Sequence, residues 1–216
     1  MKKKFAIFDM DGTLADSVVF WKNVGREYLM LKKITENVEE VVKRTKRLSM
    51  SECAATFIQE FALEETQEGV EAAMNAIMEE HYRKDILLKS GVKEYLEKLA
   101  KAGVRMCVAS ASEEFLMETC LSRLGVAQYF EFILSCETVG VGKKQPDIFL
   151  EAARRFGALP EEIAVYEDMY YATETAAKAG FYTVSVYDET SNSDWEKSKE
   201  LADEWIGDWS EAAQNF

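Results

Sequence analysis

Asp9 and Asp11 stand two residues apart, directly after the apolar residues Phe5, Ala6, Ile7 and Phe8 and just before Gly12 and Thr13. In an extended chain, residues i and i+2 project the same way. Both carboxylates can therefore converge past the end of a strand, with Gly12 letting the chain turn sharply. Two bare carboxylates side by side repel. A divalent cation that takes oxygen ligands, such as Mg²⁺, removes the conflict; a plain acidic Asp-Gly turn is the alternative for this stretch taken alone. Other segments add to the set. "MCVASAS" ends an apolar run in Ser110, followed by Ala111 and Ser112; "AVYEDM" ends another in Glu167 and Asp168; "VGKKQPDIF" offers Lys143 and Lys144 ahead of a helical pattern. Four carboxylates, two hydroxyls and a lysine pair at the ends of such segments compose a metal site facing a phosphate site.

These groups meet only if the elements carrying them are arranged side by side. Five apolar segments read as strands, over residues 4–9, 104–110, 131–135, 163–167 and 182–187, and near-continuous apolar runs are typical of buried parallel strands. Helical patterns lie between them. In "GVKEYLEKLAKAG", Val92, Tyr95, Leu96 and Leu99 fall on one face. Gly103, Gly125, Gly157 and Gly180 each follow a helical run and precede an apolar one, as glycines that end helices do. The alternation predicts an α/β fold, a Rossmann-like parallel sheet with helices on both faces, whose ligands bind beyond the carboxyl ends of the strands. Residues 17–86 break the rhythm. They read as helices only, at 18–31, 38–47, 51–60 and 68–83, which predicts an inserted helical domain between core segments 1–16 and 87–216. The tail "SDWEKSKELADEWIGDW" reads as a final helix packing Trp195, Leu201 and Trp205 on the body.

Composition narrows the function. The 216 residues carry a net charge of −13 with no long basic block, which argues against a nucleic-acid partner. An anionic substrate needs a local positive site to overcome that field. No stretch approaches the apolar length of a membrane span, and the N-terminal apolar run is too short for a signal peptide. Cys53, Cys107, Cys120 and Cys136 form no CxxC pair and read as reduced core thiols of a cytoplasmic protein, with a metal cluster as the alternative. Monomer is the default expectation.

With these residues in view, the sequence resembles the haloacid dehalogenase-like hydrolase superfamily over nearly its whole length, in the phosphatase and β-phosphoglucomutase-like branch with a helical cap. "DMDGTLADS" matches the first motif, "VASAS" the second, "GKKQPDIF" the third and "YEDMYYA" the fourth. The resemblance implies an Mg²⁺-dependent phosphatase of a small phosphorylated metabolite: a sugar phosphate, phosphoglycolate or a nucleotide. It implies that Asp9 is the nucleophile, forming an aspartyl-phosphate, and that Asp11 is the general acid and then base. It assigns the metal to Asp9, the Asp11 backbone carbonyl and Asp168, with Glu167 a further ligand or a supporting carboxylate. Ser110 and backbone N–H groups near Ala111 bind phosphate, and Lys143 supplies positive charge. Lys144 stands where the family commonly has proline, leaving the choice of lysine open. Met169 and Ala172 also depart from the fourth motif, predicting a tighter or displaced loop. Specificity in the family comes largely from the cap.

Other signals have blander readings. Lys43, Arg44, Lys46 and Arg47 in the predicted cap read as a solvated helix face, with a clamp for a second anionic group as the sharper alternative. His81, the single histidine, reads as a surface or satisfied residue rather than a catalyst. Phe20, Trp21 and Tyr28 read as cap core. A phosphosugar mutase and a catalytically silent phospho-ligand binder stand as alternative functions.

Overall fold

The computed structural model describes residues 3–45, 48–190 and 192–216. The chain divides into two compact units: Met1–Ser17 with Ile86–Phe216, and Val18–Asp85.

The larger unit is built on six strands: β1 (Phe5–Phe8), β2 (Arg105–Ser110), β3 (Phe130–Ser135), β4 (Ile163–Glu167), β5 (Tyr182–Val186) and β6 (Glu204–Ile206). They lie in the order β3-β2-β1-β4-β5-β6, and every pairing is parallel. This is the strand order of the doubly wound Rossmann-like fold. The first strand lies inside the sheet, and the order reverses between β1 and β4, where register pairs Phe8 with Tyr166. The residues that follow, Asp9 just past β1 and Glu167 at the last position of β4, come side by side at the carboxyl edge of the sheet.

The smaller unit contributes α1 (Val18–Leu31), α2 (Val38–Thr45), α3 (Met50–Phe61) and α4 (Gln67–Lys84). The rest of the chain supplies α5 (Val92–Lys101), α6 (Glu114–Arg123), α7 (Cys136–Val139), α8 (Asp147–Phe156), α9 (Tyr170–Lys178), α10 (Trp195–Leu201) and α11 (Trp209–Gln214).

Side chains alternate across the sheet. Ile7, Cys107, Leu134 and Val165 belong to a core with Ile148, Phe149 and Ala152 of α8 and Ala172 and Ala176 of α9. Phe8 and Tyr166 stack on each other, centroids 4.3 Å apart, and meet Trp209 of α11 at 6.4 and 5.8 Å.

Within the smaller unit, Tyr28 of α1 stacks on Phe57 of α3 with centroids 6.3 Å apart, while Met74, Met78 and Tyr82 of α4 are buried. Ser49 starts α3 with a capping box that closes through Glu52, satisfying backbone donors that the first turn leaves open. Tyr28 is thus core, whereas Phe20 and Trp21 are half-buried.

Two expectations need correction. The tail is not one helix: α10 ends at Leu201, β6 adds a sixth strand to the five expected, and α11 follows. Asp203 breaks the helix by accepting a hydrogen bond from Thr183 N–H at 2.8 Å, which recruits the next residues to the sheet edge. Trp205, expected to be packed, is 57% exposed, and Trp209 is the buried tryptophan. The helix expected over 38–47 is described to Thr45; Lys46 and Arg47 lie outside the described residues, while Lys43 and Arg44 are exposed, Arg44 pairing with Glu60 at 2.9 Å. The three buried cysteines and the partly exposed Cys53 are all free thiols.

Candidate active site

The loop after β1 carries the first two carboxylates. Leu14 and Ala15 N–H both donate to the Met10 carbonyl, at 3.0 and 2.8 Å, and Gly12 N–H donates to the Ala15 carbonyl at 2.9 Å. Such a tight return needs a residue at positive φ, and Gly12 has φ of 89°. Asp9 N–H donates to the Tyr166 carbonyl at 3.0 Å, tying the loop to β4.

The two aspartates then part company. Asp9 Oδ1 accepts from Lys143 Nζ at 2.5 Å. The same ammonium donates to Glu167 Oε1, also at 2.5 Å. Asp11 instead accepts from Ser17 Oγ on one oxygen and Ser112 Oγ on the other, both at 2.6 Å, with Ser110 Oγ more distant at 3.4 Å. The simple picture of two bare, facing carboxylates is thereby refined: hydroxyls hold one and an ammonium holds the other. Ser17 was not among the candidate site residues, and Ser112 was counted only as a hydroxyl of the phosphate site. Both stand in the quoted motifs, but nothing in their spacing told which carboxylate they would hold.

Lys143 is buried, as are Asp9, Ser110, Glu167 and Asp168, whereas Lys144 and Ala111 are exposed. The lysine pair is thus separated: Gln145 N–H closes a turn onto the Gly142 carbonyl at 3.0 Å before α8, and only Lys143 is directed to Asp9. The unusual fourth motif does not carry Asp168 away. The Met169 carbonyl accepts from Ala172 and Thr173 N–H, both at 3.1 Å, starting α9 directly.

Burial pushes the Asp9 carboxyl above its ordinary range; Lys143 opposes this and Asp11 adds to it. Burial lifts Glu167 further, against the pull of Lys143 and with repulsion from Asp9 and Asp168. Lys143 responds in the opposite sense: burial alone would lower its pKa, but the two carboxylates overcome that and raise it. The ammonium is therefore held charged.

Asp9, Glu167 and Asp168 each offer an oxygen, all within 4.8 Å of one another. Asp9 and Glu167 share the Lys143 ammonium, and Asp9 and Asp168 repel Glu167. An all-oxygen donor set of clustered carboxylates suits a hard divalent cation such as Mg²⁺. The site lies beyond the carboxyl ends of β1 and β4, where the strand order reverses and where ligands bind in open α/β sheets.

The sequence profile of the haloacid dehalogenase-like hydrolases matches residues 6–186. The fructose-1-phosphate phosphatase YqaB of Escherichia coli is 27% identical over 183 residues, covering 83% of this chain and 94% of that protein. The phosphoglycolate phosphatase of Thiobacillus denitrificans is 28% identical over 191 residues, covering 82% and 80%. The fold is shared with a variant of CbbY from Rhodobacter sphaeroides solved with xylulose-(1,5)bisphosphate, at a TM-score of 0.75 and 19% identity over 97% of this chain and 96% of that one. The chain belongs to the haloacid dehalogenase-like hydrolase family, as a hydrolase of the phosphatase type.

Proposed function

We propose that the chain is an Mg²⁺-dependent phosphomonoesterase that cleaves a small phosphorylated metabolite through an aspartyl-phosphate on Asp9. The observation that carries this reading is the buried Lys143 ammonium, 2.5 Å from both Asp9 and Glu167. It keeps Asp9 an anion in a site whose burial favours protonation, and a nucleophile must be an anion.

An Asp9 carboxylate oxygen attacks phosphorus, and the bond from phosphorus to the ester oxygen breaks. Asp11 gives its proton to the departing oxygen, then takes one from the water that attacks the aspartyl-phosphate. That second displacement releases inorganic phosphate and restores Asp9. The Ser110 hydroxyl and the Ala111 N–H hold phosphoryl oxygens, and Lys143 stabilises charge on the transferred group. Asp9, Asp168 and the Asp11 backbone carbonyl would hold Mg²⁺, with Glu167 as ligand or support, and the ion would supply charge compensation to the phosphoryl oxygens. Ser17 and Ser112 orient the Asp11 carboxylate.

The substrate is a sugar phosphate, phosphoglycolate or a nucleotide. The activities named for the two relatives, on fructose 1-phosphate and phosphoglycolate, support the first two classes. Free buried thiols and the acidic charge fit a cytoplasmic enzyme without nucleic-acid or membrane partners; we take it to act as a monomer, with Val18–Asp85 as its specificity-setting cap.

Phosphate release from a panel of phosphorylated metabolites, with Mg²⁺ and with EDTA, tests the reading. Release that requires Mg²⁺ and disappears in Asp9→Asn is expected, with beryllium fluoride trapped on the wild type only. Release that survives in Asp9→Asn would overturn it. A phosphosugar mutase would instead interconvert isomers without net phosphate, and a silent binder would do neither.

A further inference from the structure

We propose that Trp209 is a positioning residue for the loop that bears Asp9 and Asp11, acting through its indole N–H. This rests on the phosphatase reading for its catalytic consequence, though not for its geometry. Trp209 Nε1 donates to the Thr13 backbone carbonyl at 3.0 Å, in a buried contact that spans 196 positions of chain. Thr13 directly follows Gly12, and the loop's other carbonyl contacts are backbone bonds: Met10 and Ala15 accept within the loop and Leu14 accepts from Lys89 N–H at 2.9 Å. The indole thus supplies a side-chain fastening to the loop from a distant element.

The same ring sits beneath both acidic strand ends. It contacts Phe8, which precedes Asp9, and Tyr166, which precedes Glu167. Tyr95 closes on it edge-first with centroids 5.0 Å apart. A buried carbonyl that loses its side-chain donor must shift to find another partner or remain less well satisfied. Displacements on the scale of 1 Å at reacting groups are costly to rate.

The helix carrying Trp209 is itself held in register. The Asp208 carboxylate accepts from Ser210 and Glu211 N–H at 2.7 and 3.0 Å, starting α11. Lys98 Nζ donates to the Ala213 carbonyl at 2.5 Å. Gly91, at φ of 88°, lies so close that a Cβ built there would overlap the backbone of Trp209 and Ser210. The helix therefore sets the indole against Thr13 rather than merely covering apolar surface.

Trp209→Phe keeps an aromatic ring against Phe8 and Tyr166 and removes the N–H. Ala152→Gly is the control: it weakens α8 in the core that holds Ile7 and Val165 and leaves α11 and the indole contact in place. Hydrolysis of p-nitrophenyl phosphate is measured well below the unfolding transition, together with hydrogen–deuterium exchange over residues 9–15. For Trp209→Phe, we expect faster exchange in that segment and kcat lower by about 10- to 100-fold, with KM within about twofold. Ala152→Gly should lose thermal stability yet keep wild-type kcat. If Trp209→Phe does not fold, replacing the indole N–H with sulfur, as 3-benzothienylalanine, preserves the shape and makes the same test. Unchanged exchange in the loop, a wild-type kcat without the N–H, or equal kcat losses in the two variants would each overturn the proposal. A wild type inert to phosphate esters would instead end the phosphatase reading, and the exchange comparison would still decide the loop contact.

Discussion

Lys143 is 6% exposed and lies between two carboxylates that are buried as deeply. Removing one member of such a buried cluster is more disruptive than the pair is stabilising, because the partner charge is left without compensation. The same argument applies to the cation proposed for Asp9, Glu167 and Asp168. A divalent ion bound among the three clustered carboxylates would relieve their mutual repulsion, so the ion should stabilise the folded chain. At roughly 100 times its dissociation constant, a ligand specific to the folded state adds about 2.7 kcal/mol. Differential scanning calorimetry should therefore show the midpoint rising with Mg²⁺ and returning with EDTA, and Asp168→Asn should abolish the response. A wild-type midpoint indifferent to Mg²⁺ at millimolar concentration would count against the metal site. Asp11 is arranged differently, with both oxygens held by hydroxyls at 2.6 Å.

At the scale of elements, α1 and α4 are joined by the single histidine. His81 Nε2 lies 2.7 Å from Glu27 Oε2 and Nδ1 lies 2.7 Å from Asp85 Oδ2, while the Phe20 ring packs at 4.6 Å. Partial burial pulls the imidazole pKa down, but the two carboxylates more than offset this and raise it above 6.5. The folded state then holds the proton more tightly than the unfolded chain does. The resulting stabilisation is complete below about pH 6.5 and is lost as pH rises through the folded value. The thermal midpoint should fall between about pH 6 and pH 9 more steeply for wild type than for His81→Gln; parallel profiles would refute the linkage. The blander sequence reading of His81 as a satisfied, non-catalytic residue suits these contacts. Elements with strong periodicity were legible in the sequence. The helix expected at 18–31 is α1, and the strand expected at 163–167 is β4. The β6 strand has three residues, too few for any period, and its pairing is set by Asp203 reaching Thr183 across the sheet edge. Asp9 and Asp168 could be singled out as carboxylates closing apolar strand segments, whereas Lys143 was one of a lysine pair and was singled out only by the resemblance of "GKKQPDIF" to the third family motif. The serine clamp on Asp11 and the Trp209 contact with Thr13 could not, because neither leaves a pattern in local spacing.

For the molecule as a whole, the net charge of −13 opposes the approach of a phosphate dianion, while the compensating Lys143 is buried. Raising ionic strength from about 0.01 to 0.15 M shortens the screening length from roughly 30 to 8 Å. The diffuse repulsion should weaken while contacts inside the site persist, so kcat/KM for an anionic ester should increase with NaCl over that range. A decrease would reveal a local attractive field that dominates the net charge. The interior position of β1 bears on how such a chain is made. Its neighbours in the sheet begin only at Arg105 and Ile163; Lys143 follows Asp9 by 134 positions, and Trp209 follows Thr13 by 196. At about 5–20 residues per second of synthesis, the last of these intervals lasts roughly ten to forty seconds. Phe5–Phe8 has no flanking strand until β2 has been made and lacks the second until β4 follows, and Asp9 waits 134 positions for its ammonium and longer for Glu167 and Asp168. A ribosome-bound fragment that stops short of β4 cannot bring Glu167 and Asp168 to Asp9, so the carboxylate cluster forms only once β4 has been made, and the nascent apolar strand is the segment that a chaperone would have most reason to shield.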